Sequence, residues 1–185
     1  MKALSEITLG EYKAERTQQE VVKYVVDNFL KKNKVLRCDD KQHLPAHSDI
    51  WLYKWKDIIS MRESIKEYNI VEALQLFYKV EQKNILSAPL LNAISCYNYL
   101  VDQLLIISSA EKKKLSKEPT VKEKNAGIDE FEIYGEYNSI RLMTGGDKTK
   151  EPYYLNLPYQ EIFMELSYKI LLGRYNQKIY KNGSN

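Results

Sequence analysis

The chain has few of the residues from which catalytic and metal sites are usually built. Among its 185 residues are two histidines and two cysteines. A Ser-His-Asp arrangement needs a histidine, and both histidines, His43 and His47, fall in one predicted loop. The sequence contains no Gly-x-Ser-x-Gly, His-Glu-x-x-His or phosphate-loop motif. We therefore predict a protein that is not an enzyme and that needs no cofactor.

Long apolar runs are also missing. No run of 18 apolar residues occurs, and the densest short cluster is 104–107. Residues 1–6 become acidic where a secretory signal would need an apolar core. Cys38 and Cys96 are the only cysteines and lie far apart in the sequence. This pattern is more typical of reduced thiols than of a disulfide framework. These features predict a protein that is made and folded in the cytoplasm, without a membrane partner.

The segment that holds both histidines is a candidate metal site. Cys38, His43 and His47 could bind zinc at short spacings, with a nearby aspartate as a fourth ligand. No Cys-x-x-Cys pair accompanies them. An ordinary polar loop with two surface histidines is the favoured interpretation, and we predict no metal.

Tyrosine is the residue that the chain has in excess. There are 15 Tyr against 4 Phe and 2 Trp. Tyrosine combines a large apolar ring with a polar tip, so it suits surfaces that are half-buried or covered by a partner. A tyrosine-rich core and a tyrosine-rich partner surface both stay open.

Helical spacing of apolar residues predicts an all-α fold of about six helices, with at most two short strands. We expect an arm over residues 1–16 and a helix from about residue 17 to 32. Further helices should start near Asp49, at Asn69 and after Pro89, the last being the most apolar and central. Only residues 153–155 look strand-like. The domain prediction is an N-terminal helical region 1–110, a Lys-rich linker 111–127 and a C-terminal module 128–185, or one compact domain overall.

The C-terminal module is predicted as helix, Gly-Gly-Asp turn and helix. Asp129 is expected to begin the first helix, with Phe131, Tyr134, Tyr137 and Ile140 on one apolar face. Gly145 and Gly146 should end it, and Asn156 and Pro158 should start the last helix. We expect the two helices to form an antiparallel pair, with the far end of the last one projecting from the domain.

The same module carries a resemblance to a known family. The residues that carry it are Tyr134-Gly135-x-Tyr137-x-Ser139-Ile140, then Gly146-Asp147, then Leu157 and Gln160. This pattern resembles the inner-baseplate-hub and tail-assembly proteins of contractile-tailed bacteriophages. The resemblance implies a virion or assembly protein of the tail, baseplate or neck. Other phage structural proteins would be its partners, in a symmetric homo- or hetero-oligomer.

Ten residues are predicted to form the motif and the partner-binding surface. They are Tyr134, Gly135, Tyr137, Ile140, Gly145, Gly146, Asp147, Leu157, Tyr175 and Tyr180. The protein would be found in the host cytoplasm during assembly and then in the virion. The sequence leaves open whether it stays in the particle or leaves as a chaperone.

The alternative function is a small cytoplasmic helical regulator. It would bind nucleic acid through Lys112–Lys124, where lysines are dense enough to suggest a phosphate-binding patch. Glu111 directly before these lysines, and Glu118 and Glu123 among them, dilute the positive charge, and no aromatic residue is interleaved to stack on a base. The favoured interpretation of this segment is a solvated linker, and a nucleic-acid partner is not expected.

Overall fold

Helices dominate the computed structural model of the chain, which describes Thr8, residues 32–116 and residues 121–182. The mainly helical fold that the sequence predicts is confirmed within these residues. The arm and the helix predicted over residues 1–32 lie outside them, apart from Thr8 and Lys32. The described elements, in chain order, are β1 (Leu36–Cys38), β2 (Lys41–His43), α1 (Trp55–Lys66), α2 (Ile70–Tyr78), α3 (Gln82–Leu86), α4 (Leu90–Lys114), α5 (Val121–Asn125), α6 (Glu136–Thr144), α7 (Glu151–Leu155) and α8 (Tyr159–Asn182). Short 3₁₀ helices cover Ile50–Leu52, Ile128–Tyr134 and Lys148–Lys150.

The described residues belong to two compact units. The first contains the residues up to Ile50 together with Asp57–Ile106, and the second contains Trp51–Lys56 and the chain from Ile107 onward. Helix α4 continues through Lys114, so the first four residues of the segment predicted as a linker are helical. The three-part division drawn from the sequence stays a prediction.

In the first unit, a hairpin replaces part of the predicted loop. Strands β1 and β2 are antiparallel, with Leu36 opposite His43 and Cys38 opposite Lys41. Asp39 and Asp40 connect them with φ angles of 48° and 55°. Aspartate is among the few side chains that adopt this conformation readily, and a two-residue turn of this kind suits the strand twist. Strands of three residues are too short to show alternation in the sequence, which explains the error.

Asn92 of α4 holds the hairpin in place. Its amide donates to the Val35 carbonyl over 2.9 Å, and its side-chain oxygen accepts from the Arg37 N–H over 2.7 Å. The Ser87 hydroxyl donates to the Asp39 carboxylate over 2.7 Å. The two hydrogen bonds of Asn92 satisfy backbone groups that would otherwise be left unpaired at the edge of a two-stranded sheet.

Helix α2 begins as the sequence predicts. The Asn69 side-chain oxygen accepts from the Glu72 N–H over 3.4 Å, and its amide donates to the Glu72 carboxylate over 2.7 Å. Asn69 is thus a side-chain N-cap, and its own backbone N–H donates to the Ser64 carbonyl over 2.7 Å rather than to Glu72 as in a capping box. The helix ends at Lys79, which takes a left-handed conformation and donates its N–H to the Gln75 carbonyl.

Helix α4, predicted as the most apolar helix, buries many side chains along its length, but the shorter helix α2 is more apolar on average. Its fully or almost fully buried side chains are Leu90, Ala93, Ile94, Cys96, Leu100 and Ile107. By length and composition it is also the one described helix that could cross a membrane. A core helix with this much buried surface satisfies the same criterion, so the finding is weak evidence for a membrane span.

Candidate functional site

The second unit is built around a backbone pairing between residues 53–55 and 157–159. The Trp55 N–H donates to the Leu157 carbonyl over 2.9 Å, and the Tyr159 N–H donates to the Tyr53 carbonyl over 2.8 Å. Pro158, which has no N–H, lies between the two bonds in an isolated bridge with Lys54. The start of α8 is therefore fixed by the chain segment that precedes α1.

Aromatic side chains pack over this pairing. The Trp51 ring stacks on Tyr159 with centroids 5.8 Å apart and contacts Phe163 at 5.0 Å. Trp55 and Tyr159 are buried, whereas Trp51 is half-buried. The two tryptophans thus belong to the packed interior of the second unit.

The helix predicted to begin at Asp129 begins at Glu136 instead. Residues 128–134 form a 3₁₀ helix, and Gly135, with a φ angle of 45°, separates it from α6. A residue at positive φ cannot continue a right-handed helix, and glycine takes that conformation at little cost. The Asn138 amide donates to the Phe131 carbonyl over 2.6 Å, which links the 3₁₀ segment to α6.

Three aromatic rings form a row across this break, and we name Phe131, Tyr134 and Tyr137 the aromatic ladder. Ring centroids of successive members are 6.4 Å apart. Residues three apart eclipse each other in a 3₁₀ helix, which brings the first two rings together. Phe131, Tyr134 and Tyr137 are 59%, 52% and 42% exposed, so the apolar face expected from the sequence is not buried within its own chain.

Acidic residues surround the ladder in the sequence. Residues 128–137 include four carboxylates, Asp129, Glu130, Glu132 and Glu136, and no lysine or arginine. Such a surface repels the phosphates of nucleic acid, although the rings alone could stack on bases. It is suited to a protein surface that presents apolar groups with basic groups around them.

Glycines end α6 as predicted. Gly145 and Gly146 have φ angles of 62° and 86°, and the Gly146 N–H donates to the Arg141 carbonyl over 3.2 Å. The Arg141 guanidinium donates to the Gly146 carbonyl over 2.5 Å. The turn therefore satisfies carbonyls at the helix end and holds the Arg141 side chain across it.

Asp147 starts the next 3₁₀ segment. Its carboxylate accepts from the Thr149 N–H over 3.0 Å and from the Thr149 hydroxyl over 2.7 Å. These hydrogen bonds, with Lys150 nearby, lower the pKa of the Asp147 carboxyl below its ordinary value. Asp147 is thus engaged as a cap.

The connector between α6 and α8 differs from the prediction in two ways. Residues 153–155, expected to be strand-like, lie in the short helix α7, which has Pro152 in its first turn. The Asn156 amide donates to the Pro152 carbonyl over 2.7 Å. Asn156 therefore caps the end of α7. The prediction that it caps the start of the last helix is wrong.

All ten predicted motif residues lie in the second unit. Tyr134, Gly135 and Tyr137 come together at the ladder, and half-buried Ile140 follows them on α6. Leu157 belongs to the backbone pairing with Trp55 rather than to the ladder. Tyr175 is exposed on α8, and the side chain of Tyr180 lies outside the described residues.

Sequence reasoning missed the outer face of α8. The apolar positions predicted for this helix are Tyr159, Ile162, Phe163, Leu166, Ile170 and Leu171. Tyr159, Ile162 and Leu166 are buried, whereas Leu171 is 64% exposed. A second set on the other side of the helix is exposed, and Met164 and Tyr168 in it were not singled out. Their spacing of four residues, continued at Leu171 and Tyr175, was the available signal.

Cys38, His43 and His47 are not grouped into a metal site in the part of the chain that the structure describes. Among the described residues, no group of three or more His, Cys, Asp or Glu side chains could hold an ion. Cys38 and Cys96 are both buried and unpaired by a disulfide. Burial raises the pKa of Cys96 to about 11 and also raises the pKa of Cys38, so both thiols are protonated at neutral pH.

No protein-family model, no curated protein and no solved structure matches this chain. The resemblance of residues 134–160 to phage tail-assembly proteins therefore stays a prediction.

Proposed function

We propose that the protein is a non-enzymatic virion or assembly protein of a phage tail, baseplate or neck. It acts by docking the second unit onto partner subunits. The observation that carries the proposal is the exposure of the aromatic ladder, because Tyr134 and Tyr137 also carry the family resemblance.

The ladder has the properties of a binding anchor. Aromatic side chains are enriched at the centres of interfaces, where a few residues supply most of the binding energy. Fully burying an exposed side chain of this kind contributes about 1.5–3 kcal/mol, and the ladder rings are already about half covered, so covering the rest of one ring contributes roughly half of that. The Asn138–Phe131 hydrogen bond fixes part of the backbone beneath the rings, so less conformational entropy is lost on binding.

The finer proposal concerns the C-terminal module. Helices α6 and α8 fold back on each other as an antiparallel pair, with the Gly145–Asp147 turn as pivot and α7 within the connector. Short connections between helices favour such neighbours. The glycines that end α6 and the cap at Asp147 support this arrangement because they fix where the first helix stops.

The partner is expected to present a basic rim around an apolar pocket. The sequence of residues 128–137, with four acidic and no basic residues, gives this segment the complementary charge. Complementary charge of this kind accelerates association and selects among partners more than it adds affinity. Raising the salt concentration should therefore slow docking.

Mass spectrometry of purified particles tests the proposal directly. Presence at fixed copy number identifies a structural component. Absence from particles, combined with failed assembly when the gene is deleted, identifies a chaperone. Normal particle yield without the protein would overturn both forms of the proposal.

Variants of the ladder test the surface itself. Tyr134→Ala and Tyr137→Ala should leave the circular dichroism spectrum unchanged and reduce particle assembly. Tyr153→Ala is the matched control, because Tyr153 is also an exposed tyrosine of the second unit but lies outside the ladder. Equal effects of all three substitutions would show that the ladder has no special role.

The alternative, a nucleic-acid-binding regulator, rests on exposed lysines at the end of α4. Lys112, Lys113 and Lys114 form its last turn and are exposed. Cations at a helix C-terminus also stabilise the helix dipole, which explains them without a ligand. Salt-sensitive DNA binding that is lost on changing the three lysines to glutamate would favour the alternative.

A further inference from the structure

Helix α8 carries a second apolar face that its own unit does not cover. Tyr159, Ile162 and Leu166 are buried on one side of the helix. At 100° per residue, a different set projects from the opposite side. This set, the α8 stripe, consists of Met164, Tyr168, Leu171, Leu172, Tyr175 and Ile179, each between 42% and 64% exposed.

The α8 stripe has the spacing of a helix–helix seam. Met164, Tyr168, Leu171 and Tyr175 follow each other at intervals of four, three and four residues, the repeat that keeps a seam facing a partner helix. At 1.5 Å per residue the stripe is about 22 Å long from Met164 to Ile179. From Leu171 to Ile179 every residue of the helix is exposed, so a partner helix has access along this length.

We propose that the α8 stripe pairs with the α8 stripe of a second copy of the chain, antiparallel, about a two-fold axis near Leu171 and Leu172. Residues equally far from this axis then lie opposite each other, as an isologous interface requires. Met164 lies opposite the partner's Ile179, and Tyr168 opposite the partner's Tyr175. Leu171 lies opposite the partner's Leu172.

The charge distribution along α8 selects this partner and this direction. Glu161 and Glu165 are in its first two turns, and no acidic residue follows Glu165 in the helix. The remainder carries Lys169, Arg174, Lys178 and Lys181. Antiparallel pairing places the acidic end of one helix beside the basic end of the other, whereas parallel pairing places like charges side by side.

The dipoles of two antiparallel helices attract each other, so they favour the same antiparallel arrangement as the side-chain charges. Glu165 also forms an ion pair with Lys169 within the helix at 3.7 Å. That pair reduces the net charge of Lys169, one of the two charged residues of α8 nearest the proposed axis. An interface of one helix per copy is small, so we expect a dissociation constant on the order of micromolar.

Cysteine cross-linking of the full-length chain tests the register. Leu171→Cys should form a disulfide-linked dimer on mild oxidation, because the two copies of residue 171 lie beside the axis. Met164→Cys should not, since the two copies of residue 164 lie about 22 Å apart along the helices. Adding Ile179→Cys to Met164→Cys should restore cross-linking. The wild type is the control for its own thiols, which are buried.

Sedimentation velocity over a range of concentrations tests the interface. The wild type should shift from monomer to dimer, and Leu171→Glu should weaken dimerisation at least ten-fold. Asn176→Glu, an exposed substitution on the polar side of α8, should leave it unchanged. Both variants should keep the helical spectrum of the wild type, because neither side chain is buried.

Several results would overturn the inference. A chain that stays monomeric at all concentrations would do so, as would Met164→Cys cross-linking as well as Leu171→Cys. Binding of the monomeric chain to vesicles or to a different protein through Leu171 would assign the α8 stripe to another partner. The inference concerns two copies in solution, so failure of the phage role would leave it standing.

Discussion

Substituting Gly146 by valine tests whether the Gly-Gly-Asp turn is the pivot of the second unit. Gly146 has a φ angle of 86°, a conformation that a β-branched residue adopts only under strain. A Cβ atom at this position would also lie 2.9 Å from a guanidinium nitrogen of Arg141. That nitrogen is at the end of a flexible side chain, so Arg141 can move and the contact can be relieved.

The cost therefore has two parts. Placing a β-branched residue at positive φ costs about 1–2 kcal/mol. Moving Arg141 breaks its hydrogen bond to the Gly146 carbonyl, which contributes about 0.5–1.5 kcal/mol. The sum, roughly 1.5–3.5 kcal/mol, corresponds to a fall in Tm of roughly 3–14 °C for a chain of this size.

Gly145→Asn is the matched control for this experiment. Its φ angle of 62° is one that asparagine tolerates, and no atom lies within 4 Å of the position that a Cβ would take. Its cost should stay below about 1 kcal/mol. Thermal melts and urea denaturation of both variants give the comparison.

A Gly146→Val protein that melts within about 1 °C of the wild type would refute the reasoning. Such a result would mean that the turn does not require glycine at position 146. The proposed antiparallel pairing of α6 and α8 would lose its structural support.

Three further predictions concern other parts of the chain. Asn69→Ala removes the side-chain N-cap of α2 and should lower the free energy of unfolding by about 1 kcal/mol, measured in urea. Gly173→Ala should raise it by about 0.5–1 kcal/mol, since nothing lies within 4 Å of the added methyl group in the helix; a loss would reveal an unseen contact. Burial raises the pKa of Cys96 from 9.0 to about 11, so the unfolded chain loses this proton first as the pH rises. The contribution to stability is complete below pH 9.0 and is lost as the pH rises through about 11. Cys96→Ala should therefore show a shallower fall in stability over that range, and identical slopes would contradict the assigned burial.

Local signals in the sequence predicted local structure well. The N-cap at Asn69 and the glycines after α6 act within a few residues, so one short stretch contains the whole interaction. The hairpin at residues 36–43 depends instead on Asn92, more than fifty residues away in the chain. Nothing in a three-residue strand reveals such a partner.

The error at residues 129–135 has a different origin. Both the 3₁₀ helix and the α-helix place residues three apart on similar sides, so the spacing of Phe131, Tyr134 and Tyr137 continues across the break. Gly135 is a possible helix break in the sequence, but the apolar periodicity on both sides of it favoured one continuous helix. The periodicity correctly grouped the three rings and could not show that nothing in the described chain covers them.

Some tyrosines of the chain lie in the core and others on the surface, as the two interpretations left open by the sequence respectively require. Among the described residues, four tyrosines are buried, namely Tyr53, Tyr78, Tyr97 and Tyr159. Six are more than 40% exposed, namely Tyr68, Tyr134, Tyr137, Tyr153, Tyr168 and Tyr175. Five of these six belong to the second unit, where they accompany exposed Phe131, Met164 and Leu171. Scattered apolar residues on a surface are ordinary, but a concentration in one unit indicates a contact surface. The second unit, with the aromatic ladder and the α8 stripe, is therefore where partners of this protein should bind.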